Sequence, residues 1–505
     1  MKKLISLILV LALALTAFTV ANAEVDPDRV IVVVQGTDVQ SLDPALQNDT
    51  YSKYVIRSMY ETLVEKSNDG EFIPGLAESW EYAEDAMSIT FHLRDNVYFH
   101  HGEKLKAEDV GFTWDRAVAG GKIAGIVECY DHCEVIDEFT VKMCFNQPIV
   151  TMLSNVASLS LCIVSKEYTE ALEAEGKSLE EYPNGTGPYS FVSYTPMSEA
   201  VVTRFDGYWD QANKAKNGGI IFRIIPEEVS RTIALETGEV DMLLDVPTTD
   251  AQTLMANPDL QVFSYSTGHM EFIIFNQNKE IFKDKRVRQA ISYALDRDAW
   301  VYMVYSGNAS PNYTYVGLAS PGFSDNVTHY EFDLEKAKAL LEEAGVTNLT
   351  FVGSCSTDAR ERGLVTLQAN LAEIGVTMEI SHNTTAAFLE GVRNHEHDIC
   401  VYGYIVSDEP DSVFTSLLPS TASETGNIAG FCNEEVDELV KQAKMTVDQT
   451  ERYAIYEKIQ QICAEEAVWI PCASRTTMVA AKANLTGFEP SNRDNHILTF
   501  VEIDE

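Results

Sequence analysis

The chain has 505 residues, 45% of them hydrophobic, and sets 77 acidic against 37 basic side chains for a formal charge of −40. Nucleic acids and anionic membrane surfaces recruit clusters of Lys and Arg, so this balance excludes both as principal partners. At roughly 150 residues per domain the length provides for about three domains with sizeable cores.

The N-terminus reads as a secretory signal. Lys2 and Lys3 precede the apolar run Leu4 to Leu15, and Ala21-Asn22-Ala23 supplies an A-x-A cleavage site. Cleavage there leaves a mature chain starting near Glu24, and the loss of two lysines takes the charge from −40 to −42. No Cys follows the run, so no lipid anchor is expected. No later stretch reaches the ~18 uninterrupted apolar residues of a membrane span. The expected product is extracytoplasmic, periplasmic or otherwise secreted, and a monomer not embedded in a membrane.

Val30 to Val34 form the first strand, with Gly36, Thr37 and Asp38 in the loop that follows. Ile89, Phe91 and Leu93 alternate with Thr90, His92 and Arg94, the period of a strand with one buried face. Asp95-Asn96 supplies a turn, and Val97 and Phe99 predict a second strand. Glu108 and Asp109 open a helix with Val110, Trp114 and Ala117 on its apolar side. Lys106 stands where that helix wants a capping oxygen, a loss of roughly 1 kcal/mol. Ile220 to Ile225 read as a strand, Pro226-Glu227-Glu228 as a helix start with Ile233 and Ala234 on the apolar side, Gly238 as its stop, and Val240 to Leu244 as the next strand. That unit is a right-handed crossover into a parallel sheet.

A second α/β region begins at the short apolar strand Phe272 to Phe275. Asp333 caps a helix ended by Gly345, and Leu349 to Val352 form a strand. Leu364, Leu367, Leu371 and Ile374 mark an amphipathic helix closed at Gly375. Strands follow at Val376 to Ile380 and Asp398 to Tyr404, then helices around Val436–Ala443 and Tyr453–Ala464, before Val468-Trp469-Ile470-Pro471. Two such regions on one exported chain predict an α/β clamshell with its ligand between the lobes.

Nine cysteines leave at least one thiol without a partner in the chain. Cys129 and Cys133 form no CxxC pair, and Cys355 and Cys400 are bridged only if their strands are neighbours. His395-Glu396-His397 reads as a polar loop, so no metal site is expected. No G-x-S-x-G, H-E-x-x-H, G-x-x-x-x-G-K-[ST] or strand-borne G-x-G-x-x-G occurs, so neither an enzyme nor a cofactor is expected.

Between residues 70 and 115 the anchors Leu76, Ala77 and Trp80, then Thr90, Phe91, Leu93 and Arg94, then Phe99 and Gly102, then Ala107 to Val110 occur in fixed order. This segment resembles the one that marks extracytoplasmic solute-binding proteins of family 5, the dipeptide/oligopeptide/nickel class. The resemblance continues through Ser41-Leu42-Asp43-Pro44, Tyr60-Glu61-x-Leu63, Gly185-Thr186-Gly187-Pro188-Tyr189, Gly207-Tyr208-Trp209, Val287-Arg288-Gln289-Ala290 and Ala294-Leu295-Asp296-Arg297. It implies a periplasmic binding protein-like clamshell of type II. The expected division is a first lobe of residues 24–65, 180–268 and 480–505, an inserted domain of 66–179, and a second lobe of 269–479. It also implies a receptor that closes about a small solute and docks on the permease subunits of an ABC importer.

The family segment Trp-Gly-x-Asp-Tyr-x-Asp-Pro-x-x-Phe is similar to the stretch from Tyr402 to Phe414, and its first Asp receives the ammonium of bound peptides. Here Ile405 or Val406 takes that position. A buried ammonium needs a counter-charge, so Asp408 is the substitute acid, with Tyr402 and Tyr404 as contact surface. Arg360, after the Leu349–Cys355 strand, is a fork for a ligand carboxylate, and Gly36, Thr37 and Asp38 supply contacts from the first lobe. A short peptide or peptide-like compound is the first ligand class. An oligosaccharide or other amine-lacking solute follows, and then a metal chelate. A peptide-holding chaperone and a secreted hydrolase are the readings from other classes.

Overall fold

The computed structural model describes residues 29–47, 49–67, 71–405, 410–418, 427–492 and 496–504; the signal segment, Val406 and Asp408 lie outside them. One continuous mixed sheet runs through two lobes. Its strands follow in space as Thr377–His382, Thr350–Cys355, Ile399–Ile405, Leu260–Phe275, Trp469–Lys482, Met242–Leu243, Val30–Gln35, Gly219–Ile224, Glu199–Arg204 and Tyr189–Thr195. The two long central strands belong to both lobes. They pair antiparallel from Leu260 to Ser266 in the first and from Met270 to Ile274 in the second, with a shift of register between. Such an interruption bends a ladder, and it falls at Thr267-Gly268-His269, where the strand passes from one lobe's core to the other's.

Each half of the sheet has its own core. In the first lobe Ile31, Val33, Ile220, Phe222 and Met242 pack together against the helix Thr50–Met59. Strand Val30–Gln35 lies parallel to both Gly219–Ile224 and Met242–Leu243, which the helix Glu228–Glu236 connects as a crossover. In the second lobe Ile273 and Val401 face one core while Phe272 and Cys400 face another. Strands buried on both faces carry uninterrupted apolar runs, here Phe272-Ile273-Ile274-Phe275 and Ile399-Cys400-Val401.

A separate antiparallel sheet, ordered Ala77–Tyr82, Ser88–Leu93, Thr140–Phe145 and Tyr130–Asp137, carries the helix Ala107–Gly120 on one face. Ile89, Phe91 and Leu93 meet Val110, Trp114 and Ala117 there, all nearly inaccessible to solvent. Lys106 gives no side-chain cap, and the Asp109 carboxylate accepts from the Lys106 amide at 2.8 Å instead.

Four local expectations are corrected. Val97 and Phe99 are buried, but only a single bridge between Tyr98 and Lys104 forms, so the second strand is absent. Ile233 is 51% exposed, because the helix Glu228–Glu236 buries Arg231, Thr232, Ala234 and Leu235. The strand at 272–275 is the end of a much longer one, Leu260–Phe275, which pairs with the similarly long Trp469–Lys482. The strands bearing Cys355 and Cys400 are neighbours, yet the two thiols enter different cores and both are free.

Candidate functional site

In both lobes the loops of interest follow the C-terminal ends of parallel strands, where α/β sheets carry their ligand sites. On the first-lobe wall, Gly36 is closed in by Arg231. A Cβ at residue 36 would lie 2.6 Å from the guanidinium, which donates to the carbonyls of Ile225 at 2.9 Å and Pro226 at 2.7 Å. Thr37 is exposed and bonds to Tyr51. The Tyr51 hydroxyl donates to Asp245 at 3.2 Å, and burial with the nearby Asp245 charge pushes its pKa up to about 12. Asp38 is turned to another task. Its carboxylate accepts from the amides of Val39 at 2.8 Å and Met197 at 2.7 Å and from the Tyr194 hydroxyl at 2.9 Å, holding the loop to its own lobe.

On the second-lobe wall, Arg360 opens the helix Asp358–Glu373, whose start is capped by Thr357. Its Nε donates at 2.7 Å to Glu271, a fully buried carboxylate on the hinge strand that also accepts from Trp300 Nε1 at 3.1 Å and from Tyr305. Gly403 makes room for this arrangement, since a Cβ there would sit 2.6 Å from Arg360 Nη2 and 3.3 Å from His269 Nε2. His269 stays neutral: burial first, then the charges of Arg475 and Arg360, bring its pKa down to about 4. Tyr402 and Tyr404, two apart on one strand, share a face. Both are half-buried against the core that contains Phe272, whose ring centroid is 6.1 Å from that of Tyr402.

Arg475 joins the walls. It lies on the hinge strand Trp469–Lys482 with its side chain 39% exposed, 3.9 Å from Asp245 of the first lobe and close enough to His269 of the second to depress it. Asn308 Nδ2 makes a further crossing, donating to the Thr248 carbonyl at 3.2 Å. The structure therefore gathers Thr37, Tyr51 and Asp245 on one side, Arg360, Gly403 and His269 on the other, and Arg475 between them, while Tyr402 and Tyr404 face the opposite side of their strand from Gly403. Sequence reasoning missed Tyr51, Asp245, His269, Glu271 and Arg475. Only Asp245 carried a signal, as the acid directly after the predicted strand Val240–Leu244.

A cavity of about 850 Å³ opens elsewhere, between the helix Thr50–Met59, residues 65–67 and 73–75 and the segment around Phe488 and Leu498. Its polar groups already satisfy one another: Arg57 pairs with Glu65 at 2.9 Å, His496 bonds Tyr265 and Ser491, and Glu61 accepts from Tyr208, Trp209 and Thr186.

Residues 71–425 match the family model for bacterial extracellular solute-binding proteins, family 5. The chain is 28% identical to the dipeptide-binding protein of Escherichia coli K12 over 529 aligned positions, covering 98% of each. It is 29% identical to the glutathione-binding protein GsiB of the same organism, with 91% of each covered. The solved structure of HbpA2 from Haemophilus parasuis superposes with a TM-score of 0.88 at 28% identity, over 94% of this chain and all of that one. With one continuous sheet through two α/β halves, a separate four-stranded sheet and the family match over residues 71–425, the chain belongs to the bacterial extracellular solute-binding proteins of family 5.

Proposed function

We propose that this protein captures a short peptide or peptide-like solute between its lobes and passes it to the permease subunits of an ABC importer. It works outside the cytoplasm as a monomer, after its signal is cleaved near Ala23, and it transports rather than transforms its ligand. The carrying observation is the pairing of charge types across the hinge: Arg360 and Arg475 on and beside the second-lobe wall, Asp245 on the first. A zwitterionic solute has the complementary ends, since its carboxylate suits a guanidinium fork and its ammonium needs an acid. Asp245 supplies that acid from the lobe opposite to positions 405–406, where Ile405 and Val406 stand; Asp408 is the alternative. Gly36 and Thr37 border the space between, Asp38 fixes the loop rather than the ligand, and Tyr402 and Tyr404 meet the solute only if it reaches the other face of their strand. The names of the dipeptide-binding and glutathione-binding relatives support the ligand class.

The lobes follow residues 24–65, 180–268 and 480–505 for the first and 269–479 for the second, with 66–179 inserted; the separate cores around Phe222 and Ile273 support the division near residue 268, although Leu159, Cys162, Val164, Leu172, Leu179 and Val479 pack into the first-lobe core. A ligand held on both walls stabilises the closed arrangement by the contacts only that arrangement provides. Among the described residues no helix is long and apolar enough to cross a membrane, in keeping with delivery to a separate permease.

Native mass spectrometry of residues 24–505, purified without denaturation, tests the ligand class. A non-covalent mass of a few hundred daltons that fragments as a peptide is the expected result. A co-purifying sugar, or any other bound solute without a free amine, overturns the zwitterion reading and makes the loss of acid at 405–406 the determinant of specificity.

A further inference from the structure

The exposed edge of the inserted domain's sheet carries donors that the interlobe cleft does not use. His132 and Glu134 stand two residues apart on the edge strand Tyr130–Asp137, so both project from one face. Cys144 lies directly opposite His132 on the strand Thr140–Phe145. One ligand atom from each of the three lies within 4.8 Å of the others. An independent feature orients the set: Asp131 Oδ2 sits 2.9 Å from His132 Nδ1, which leaves Nε2 directed at Glu134 Oε1, 3.5 Å away. A carboxylate on one ring nitrogen is how metal-binding imidazoles are fixed in tautomer and orientation.

We propose that His132, Glu134 and Cys144 bind one divalent transition-metal ion of the Zn²⁺, Co²⁺ or Ni²⁺ kind, with solvent in the fourth position. Thiolate and imidazole select such borderline ions over Mg²⁺ and Ca²⁺, which take oxygen ligands. Metal–ligand bonds of ~2.0–2.3 Å put the donors of a tetrahedral site about 3.3–3.8 Å apart. The side chains must close by about 1 Å, a movement open to an exposed edge strand. Lys142 Nζ, 3.3 Å from Glu134 Oε2, swings aside, as solvent-exposed pairs readily do. Burial raises the Cys144 thiol pKa, so the metal displaces its proton to solvent as the metal–sulfur bond forms.

The test is a titration of the reduced, metal-free mature chain with Co²⁺, followed by the thiolate-to-cobalt charge-transfer absorption. The band should saturate at one equivalent, vanish in Cys144→Ser, and need at least tenfold more Co²⁺ in His132→Ala, while Cys129→Ser and Cys432→Ser leave it unchanged. No thiolate band in the unmutated chain, or one that survives Cys144→Ser, overturns the site. A second reading needs no variant: Zn²⁺ should slow alkylation of Cys144 at least tenfold and leave Cys129 unaffected. Equal rates with and without Zn²⁺ overturn the proposal even if Cys144→Ser fails to fold.

Discussion

Two glutamates with the same number of donors play opposite parts in this molecule. Glu61, where the first lobe meets the inserted domain, accepts from Tyr208 at 2.7 Å, Trp209 at 2.9 Å and Thr186 at 2.7 Å, all neutral. Burial outweighs those bonds and pushes its pKa up to about 7. Glu271, on the hinge strand, accepts from Trp300 and Tyr305 but also from the Arg360 guanidinium. One neutral donor exchanged for a guanidinium turns a carboxyl held by neutral groups alone into one that pins an arginine. The family motifs Tyr60-Glu61-x-Leu63 and Gly207-Tyr208-Trp209 converge on the first of these sites, so this recognisable part of the chain serves the scaffold.

The hinge site is the more costly to break. Glu271→Ala leaves Arg360, Trp300 and Tyr305 without their acceptor, and removing one partner of a buried pair costs about 3–5 kcal/mol. Urea denaturation should show a loss of that order; under 1 kcal/mol would mean that Glu271 is not the support of Arg360.

Glu61 should reveal itself through pH. Its folded pKa of about 7 lies above its ordinary value of 4.5, so its contribution is fully present below pH 4.5 and is lost as pH rises through 7. Relative to Glu61→Gln, the unmutated chain should lose on the order of 2 kcal/mol from pH 4.5 to 8, allowing for solvent in the adjoining cavity. The buried histidines His100, His269 and His397, each brought down to about 4 chiefly by burial, act in the opposite direction. They are common to both proteins and cancel in the difference. Parallel stability curves for the two would refute the neutral-cradle account.

Effects on stability become small where effects on binding should be large. Arg475→Ala removes a half-exposed side chain and should change the ligand-free stability by less than about 0.5 kcal/mol. It should also abolish the thermal stabilisation given by the co-purified solute. Tyr402 is a poorer probe, because its packing against Phe272 makes truncation costly on its own. Gly403→Ala sets a methyl 2.6 Å from Arg360 Nη2, so the guanidinium must shift within its pair with Glu271 for the melting curve to stay intact. A weakened ligand response with an intact melting curve would show that the position of the guanidinium matters; an unchanged response would separate Arg360 from the ligand.

Much of the scaffold is legible in the sequence because its signals are local. Asp333 caps the helix Leu334–Glu343 by accepting from Lys336, and Gly345 leaves it in the left-handed region that glycine enters freely. The alternation at Ile89, Phe91 and Leu93 likewise needs only its own strand. The long hinge strands escaped notice because their polar middles, residues 264–269 and 474–477, interrupt the apolar pattern where each strand leaves one core for the other. That same interruption hid Arg475 and His269, whose neighbours come from more than 200 residues away or from the opposite lobe. Asp38, well placed in sequence, is spent on Tyr194 and Met197, a contact set by a distant hairpin.

The central claim is that the solute sits between the lobes and draws them together about Thr267-Gly268-His269. Small-angle X-ray scattering of the mature chain, stripped of ligand and then saturated with the solute identified by native mass spectrometry, tests it most directly. The radius of gyration should fall on saturation in the unmutated protein and stay unchanged in Arg475→Ala at the same solute concentration. Saturable binding to the unmutated protein with no change in radius would place the ligand outside the cleft and contradict the account.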